Sequence, residues 1–431
     1  MIIQGNLSAA QQDKSQRNYY KFCALNGFSY MCVGETMMIL FAVRLGAPNW
    51  AISAMGAMIF IGFLLLPLGL VLTRHYGAAM TQAIAWVCRN LAGCFIASSA
   101  LVDCLGFHLT AVAMILLGAF AFYGFRAAGV IMSQPLIGGI SSGEKQAAVV
   151  GIGNAIFYIM SISALVMLNF ILKWKSNIWI LASIMVVGAA MGAGCFHFFR
   201  QIDEPDALKK SAQKPILPQV RRLWRIADIR HQVYVVFAMN TCIAMTVPMA
   251  MLALKRGYGI DDHTAMFYSI FQFCGCALFS YLVGRLSNLF GPRQILLVSY
   301  AMLLASCLAW YLSPDRPVWL FCCAMLVVCG GARAALEVAQ AHYFIKNTSR
   351  DDQVAASILI SVCGGFLAGV AATGVSAMLL RLLVKQNTIE CFRNFFLAVL
   401  LFILPGLWLI WKLKPLAKNR RFLRIHFRHP R

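Results

Sequence analysis

Twelve stretches of about 20 mostly apolar residues recur along the chain, each long enough to cross bilayer hydrocarbon as a helix. They fall at residues 22–43, 51–72, 79–101, 108–131, 147–172, 178–199, 232–254, 264–284, 294–312, 318–343, 354–380 and 394–411. Within hydrocarbon no water is at hand to bond a peptide group, so each stretch must satisfy its backbone internally. The charge content agrees. Of 431 residues only 12% are charged and 61% are apolar, against roughly 25% charged in a soluble domain. So few charges cannot cover a soluble surface of this size. A soluble enzyme, a disordered chain and a nucleic-acid binder are all excluded, and the chain is read as an all-α polytopic membrane protein.

The net charge of +22 reflects topology rather than a polyanion site. With the N-terminus inside, 25 of the 37 Lys and Arg fall on inner segments and nine on outer loops. That asymmetry predicts both termini cytoplasmic, in a multi-pass protein of the cell (inner) membrane. Trp50, Trp174, Trp179, Trp310, Trp319, Trp408 and Trp411 fall at predicted helix ends, where headgroups hold amphipathic rings. Residues 1–21 are polar and lack the pattern of a removable signal peptide. The connections are short except for 200–231, which holds Pro205, Pro215 and Pro218. The expected domains are therefore an N-terminal six-helix bundle over 1–199, a cytoplasmic central loop over 200–231, a C-terminal six-helix bundle over 232–413 and a basic tail over 414–431. Within the loop, Val220–Ile226 reads as a basic amphipathic stretch on the membrane surface. Most of the 15 cysteines lie inside apolar runs with no CxxC pair, so they act as small hydrophobes. No metal and no cofactor is expected.

The halves carry related signals. Arg126-Ala127-Ala128 in the fourth segment recurs as Arg333-Ala334-Ala335 in the tenth, and at the same offset Gln146 and Gln353 open the fifth and eleventh. After the eighth segment comes Gly284-Arg285-Leu286-Ser287-Asn288-Leu289-Phe290-Gly291-Pro292-Arg293. This run resembles the Gly-x-x-x-Asp-Arg-x-Gly-Arg-Arg loop of the major facilitator superfamily, and the resemblance extends over essentially the whole chain. It implies two pseudo-symmetric six-helix bundles and a tight cytoplasmic turn whose charges bracket a gate. Gly284, Gly291 and Arg293 stand, while Asn288 replaces the acid. The matching loop after the second segment keeps Gly77 and a shifted base, Arg74. The family's mid-depth arginine in the fourth helix matches Arg126, without the glutamine that usually follows. The proline-containing fifth helix of drug–proton antiporters has no counterpart in Gly151-Ile152-Gly153-Asn154-Ala155.

Charges at mid-membrane are costly and default to functional groups facing the bundle interior. Glu35, Arg89, Arg126, Arg333 and Glu337 are the cases here. Glu35 reads either as a protonatable carboxylate or as the ion-pair partner of Arg89 or Arg126. Arg126 and Arg333, at matching places in the halves, suit an anionic substrate because guanidinium forks fit carboxylate and phosphate. The local alternative pairs Arg333 with Glu337, four residues on along one helix face. Arg89 reads as structural. Asn26, Tyr30, Asn154, Asn240 and Gln272 complete the candidate substrate or coupling set, and Gly77, Gly284, Asn288, Gly291 and Arg293 form the candidate gating loops.

The expected function is secondary transport of a small solute, anionic by preference, through alternating access and with a proton as coupling ion. The partners are a small-molecule substrate, the proton and membrane lipids; nucleic acid is not among them, and the chain is expected to act as a monomer. No phosphate-binding Gly-x-x-x-x-Gly-Lys-Ser/Thr loop occurs. The alternatives are a multidrug or solute efflux antiporter and a non-transporting sensor of the same fold. A membrane-embedded enzyme is disfavoured by short loops and scattered histidines.

Overall fold

The computed structural model describes residues 2–5, 7–141, 146–213, 215–348, 352–384 and 388–415. Twelve helices among the described residues are long and apolar enough to span a bilayer. They are α1 (Ala9–Leu45), α2 (Asn49–Tyr76), α3 (Ala78–Cys104), α4 (His108–Ile140), α5 (Ile152–Trp174), α6 (Ile178–Phe199), α7 (Ala227–Gly257), α8 (Asp262–Val283), α9 (Pro292–Tyr311), α10 (Trp319–Phe344), α11 (Val354–Leu383) and α12 (Ile389–Trp411).

Two boundaries differ from expectation by more than two turns. Ser8 opens α1 with a reciprocal cap, its hydroxyl accepting from the Gln11 N–H while the Gln11 side chain accepts from the Ser8 N–H. The polar residues before 22 therefore extend the helix beyond its apolar part. α4 runs on past 131 to Ile140, after a local break at Ile131–Met132. Hydropathy marks the membrane crossing, not the full hydrogen-bonded rod.

The chain forms two compact units. The first comprises Met1–Ile216 and Asp261–Phe267, the second Leu217–Ile260 and Tyr268–Arg431. The central segment is partly helical, with short helices at Asp206–Gln213 and Ile216–Trp224. In the latter, Leu223 is buried while Arg221 and Arg222 are exposed, and Arg222 pairs with Asp352.

In the first unit, Phe22, Trp86 and Phe199 form an aromatic core, with ring centroids 4.1 Å apart for Phe22–Phe199 and 5.3 Å for Phe22–Trp86. α2 and α4 approach so closely that a Cβ on Gly69 would lie 1.8 Å from the Ala128 carbonyl oxygen. Only glycine permits that packing.

In the second unit, Trp310 is 1% exposed and stacks on Phe396 at 5.5 Å. This corrects its expected place at the headgroups: near the end of α9, its ring turns inward onto α12. The other six tryptophans at span ends are exposed. Pro405 breaks α12, so Leu407 bonds back to Leu404 and the Ile403 carbonyl loses its usual partner. The Tyr300 hydroxyl donates to that carbonyl at 2.7 Å. α7 and α11 each contain a widened π-turn, at Ala253–Gly257 and Ile360–Phe366, a distortion frequent at functional sites.

Candidate functional site

α1 is discontinuous. At Gly34 the backbone becomes extended (φ −72°, ψ −167°), and a second helix starts at Glu35. A carboxylate at a helix N-terminus meets the positive end of the dipole, and broken spans mark solute and ion sites in transporters. The Glu35 side chain lies outside the described residues. Two turns earlier, Asn26 anchors a buried polar cluster. Its carbonyl oxygen accepts from Trp86 Nε1 at 3.0 Å and from Arg89 Nη1 at 2.9 Å.

Arg89 is 1% exposed. Its guanidinium lies 4.9 Å from the ring centroids of both Trp86 and Phe122, and Nη2 reaches the Asn90 side-chain oxygen at 3.5 Å. Nε has no hydrogen-bond partner among the described residues. A desolvated cation between aromatic faces gains about 2 kcal/mol from their quadrupoles, which offsets only part of its burial. Among the described residues no carboxylate pairs with it. Arg126, half-buried on α4, adds a second positive charge acting on Arg89 and makes no hydrogen bond or ion pair among the described residues.

Of the remaining candidates of this unit, Tyr30 is near enough to Arg89 to act on its charge. Tyr30 is half-buried, with its ring 6.1 Å from Phe157, whereas Asn154 is exposed. In the second unit, Arg333 Nε donates to Glu337 Oε1 at 3.2 Å, the local pairing weighed as the alternative to substrate contact. The Asn240 amide donates to the Gly364 carbonyl at 3.4 Å, inside the π-turn of α11. Gln272 on α8 is buried at 8% exposure. Among the described residues no group of three or more His, Cys, Asp or Glu could hold a metal ion.

The two gating loops differ from the expected turn in one respect. The helix of α8 runs on to Phe290, so Gly284 and Asn288 lie within a helix and their side chains fall outside the described residues. The reversal is confined to Gly291, at φ +88°, before Pro292 opens α9. The α8 helix persists because no proline or glycine interrupts 285–290. Arg293 reaches back to the Trp411 carbonyl.

Gly77, at φ +86°, makes the equivalent reversal ahead of α3. It brings no capping side chain, and Glu204 supplies one from the central segment. The buried Glu204 carboxylate accepts from the Ala78 and Ala79 N–H groups at 2.8 and 2.9 Å. Lys209 donates to the His75 carbonyl and Arg74 to that of Ala212, closing the clasp. An acid missing from this loop in sequence is thus present in space.

Another tie escaped the sequence. The buried Asp262 carboxylate accepts from Arg44 at 2.7 Å and from the Ser176 hydroxyl at 2.5 Å, and the Asn169 amide donates to the His263 carbonyl at 2.6 Å. These bonds hold the first turn of α8 within the first unit. An arginine at the end of α1 was the visible signal, but its partner lies 218 positions away.

The sequence profile of the Major Facilitator Superfamily matches residues 22–373 and again 233–425. The chain belongs to the Major Facilitator Superfamily. Solved transporters share its fold. A mutant form of the nucleoside transporter NupG aligns with a TM-score of 0.70 at 12% identity, covering 94% of this chain and 99% of that one. The xylose transporter XylE from E. coli, in a partially occluded inward-open conformation, gives 0.66 at 13%, covering 95% and 99%. The E. coli fucose:proton symporter FucP gives 0.58 at 14%, covering 89% and 97%. No curated protein sequence matches the chain. Membership of this superfamily makes the chain a multi-pass membrane protein with a transporter fold and points to transport rather than catalysis. At these identities the structural neighbours speak to the fold alone.

Proposed function

We propose that this superfamily member is a secondary transporter of a small anionic solute, working by alternating access with a proton as coupling ion. The observation that carries the reading is the guanidinium pair of the first unit. Arg89 is buried against neutral amides and aromatic faces, and Arg126 stands half-exposed beside it without a carboxylate among the described residues. A second cation at membrane depth is stabilised by an anion. Arg126 is the group placed to receive one, while Arg89 is locked by its stack and positions Asn26. Arg333 takes the corresponding part in the second unit once Glu337 releases it. Glu35, at the break in α1, is assigned the coupling proton, and Tyr30, Asn154, Asn240 and Gln272 the polar contacts. Gly77, Gly291 and Arg293, with Gly284 and Asn288, frame the moving loops. The basic asymmetry supports both termini inside, and we assign the protein to the cytoplasmic membrane as a monomer.

A neutral polar solute is the second reading, favoured by the neutralisation of Arg333 by Glu337. A thermal-shift screen of purified protein against anionic and neutral metabolites separates the two, because a ligand of the folded state stabilises it by mass action. Stabilisation by anions that disappears in Arg126→Gln supports the first. Stabilisation by sugars or nucleosides alone, unchanged in Arg126→Gln, overturns it. Uptake into proteoliposomes under an imposed pH gradient tests the coupling, with Glu35→Gln expected to abolish gradient-driven accumulation.

A further inference from the structure

A groove of about 560 Å³ runs along the second unit, with Leu297, Val298 and Ala301 on α9 facing Leu404, Leu407 and Trp408 on α12. Its volume lies in the roughly 300–1,000 Å³ range of small-ligand pockets. The helix break at Pro405 lies alongside it, next to the Tyr300–Ile403 bond. The walls are almost wholly apolar and open to the exterior of the unit: Val298, Leu404 and Trp408 are each about half-exposed or more. In a membrane-spanning protein such a face meets lipid tails.

The mouth of the groove has a different chemistry. Trp411 closes that end, and its carbonyl accepts a hydrogen bond from Arg293. Lys412 Nζ sits 3.7 Å above the Trp408 ring. Arg293 Nε is buried without a partner among the described residues. Lys414 follows, balanced by Asp228 at 3.6 Å. An apolar slot ending in tryptophan rings and two cations, Lys412 and Arg293, with no paired carboxylate among the described residues, matches a lipid tail joined to a negative headgroup.

We infer that this groove binds one acyl chain of an anionic phospholipid, whose phosphate is held by Lys412 and Arg293. The site is independent of the solute-binding residues and does not rest on their assignment.

The test uses the intact protein in nanodiscs containing phospholipids with brominated acyl chains, which quench nearby tryptophan fluorescence. Trp408→Phe/Trp411→Phe isolates the groove signal by difference. Brominated phosphatidylglycerol is expected to quench at about fivefold lower mole fraction than brominated phosphatidylcholine, the effect of one basic side chain at an anionic surface. Lys412→Gln, at an exposed position, is expected to remove that preference, and Ala301→Phe to fill the slot and remove the quenching. Equal quenching by both lipids, or a preference unchanged in Lys412→Gln, overturns the inference. So does cross-linking that shows a second copy of the chain seated on α9 and α12.

Discussion

The Asp262 carboxylate receives Arg44 Nε at 2.7 Å although its own side chain is wholly inaccessible to solvent and that of Arg44 is 42% exposed. The two residues are therefore unequal. Arg44 can recover hydration when its partner is lost, whereas Asp262, first residue of α8, keeps a buried charge. Arg44→Ala is expected to destabilise by about 1.5–3 kcal/mol, the scale of a hydrogen bond to an ionised group. Asp262→Asn is expected to cost less, because it removes the charge and keeps an acceptor for Ser176. Thermal denaturation of the purified variants decides it, and a larger drop for Asp262→Asn refutes the asymmetry.

Glu204 makes stability depend on pH. Burial raises its carboxyl above the ordinary value of 4.5, outweighing the Ala78 and Ala79 amides and the Lys209 charge, which lower it. The folded chain thus holds this proton more tightly than the unfolded one. The group's contribution is full below pH 4.5 and is lost as pH rises through the raised folded value. Glu204→Gln mimics the protonated form, so its melting temperature should stay flat across that window while the wild type declines. Glu204→Ala deprives two amides of their acceptor and should cost about 0.5–2 kcal/mol, as loss of a helix cap does. A wild-type melting temperature that rises from pH 4.5 to neutrality contradicts the sign.

What the sequence disclosed follows from what the bilayer imposes. Hydrocarbon demands long apolar helices, so all twelve spans were legible and most ends agree within a few residues. α1 was cut short because its first turns, from Ala9, are polar and held by the Ser8 cap, which hydropathy does not register. Trp310 was misplaced because ring direction depends on the neighbouring Phe396, not on depth. The candidate site was legible as residue types only. Arg89, read as structural, is the most deeply buried cation described. Its partners Asn26 and Asn90 are neutral amides, which a search for carboxylates passes over. Glu204 and Asp262 were invisible for a related reason: each meets its hydrogen-bond partners across more than eighty positions, with no local spacing to betray it.

The two arginines of the first unit should respond differently to substitution. Arg126 has no described bond to lose, so Arg126→Gln should leave the melting temperature unchanged. If it binds the solute, affinity should fall roughly 10- to 100-fold, the equivalent of one charge-assisted hydrogen bond. Arg89→Lys should behave oppositely. An ammonium cannot donate to Asn26 and Asn90 while stacking on Trp86 and Phe122, and stability should fall by about 1–2 kcal/mol. Calorimetric titration with the solute found by screening, beside thermal denaturation, reads both effects. Equal loss of stability in the two variants contradicts the division into a proposed binding arginine and a positioning one.

Glycine substitutions test the packing that holds α2 against α4. A Cβ at position 69 would meet the Ala128 carbonyl oxygen and carbon at 1.8 and 2.6 Å, backbone atoms that cannot swing aside as a side-chain terminus can. Gly69→Ala must push the two helices apart, and overpacking of this kind costs about 1–3 kcal/mol. Arg126 lies two residues before Ala128 on the same helix, so the displacement should also reach this proposed binding residue and lower solute affinity. Gly374 on α11 is the control: a Cβ there meets nothing within 4 Å. Gly374→Ala should be neutral or stabilising by up to about 1 kcal/mol, the helix propensity gained over glycine. A Gly69→Ala variant as stable as Gly374→Ala means that α2 and α4 yield at little cost, and that the position of Arg126 does not depend on their close contact.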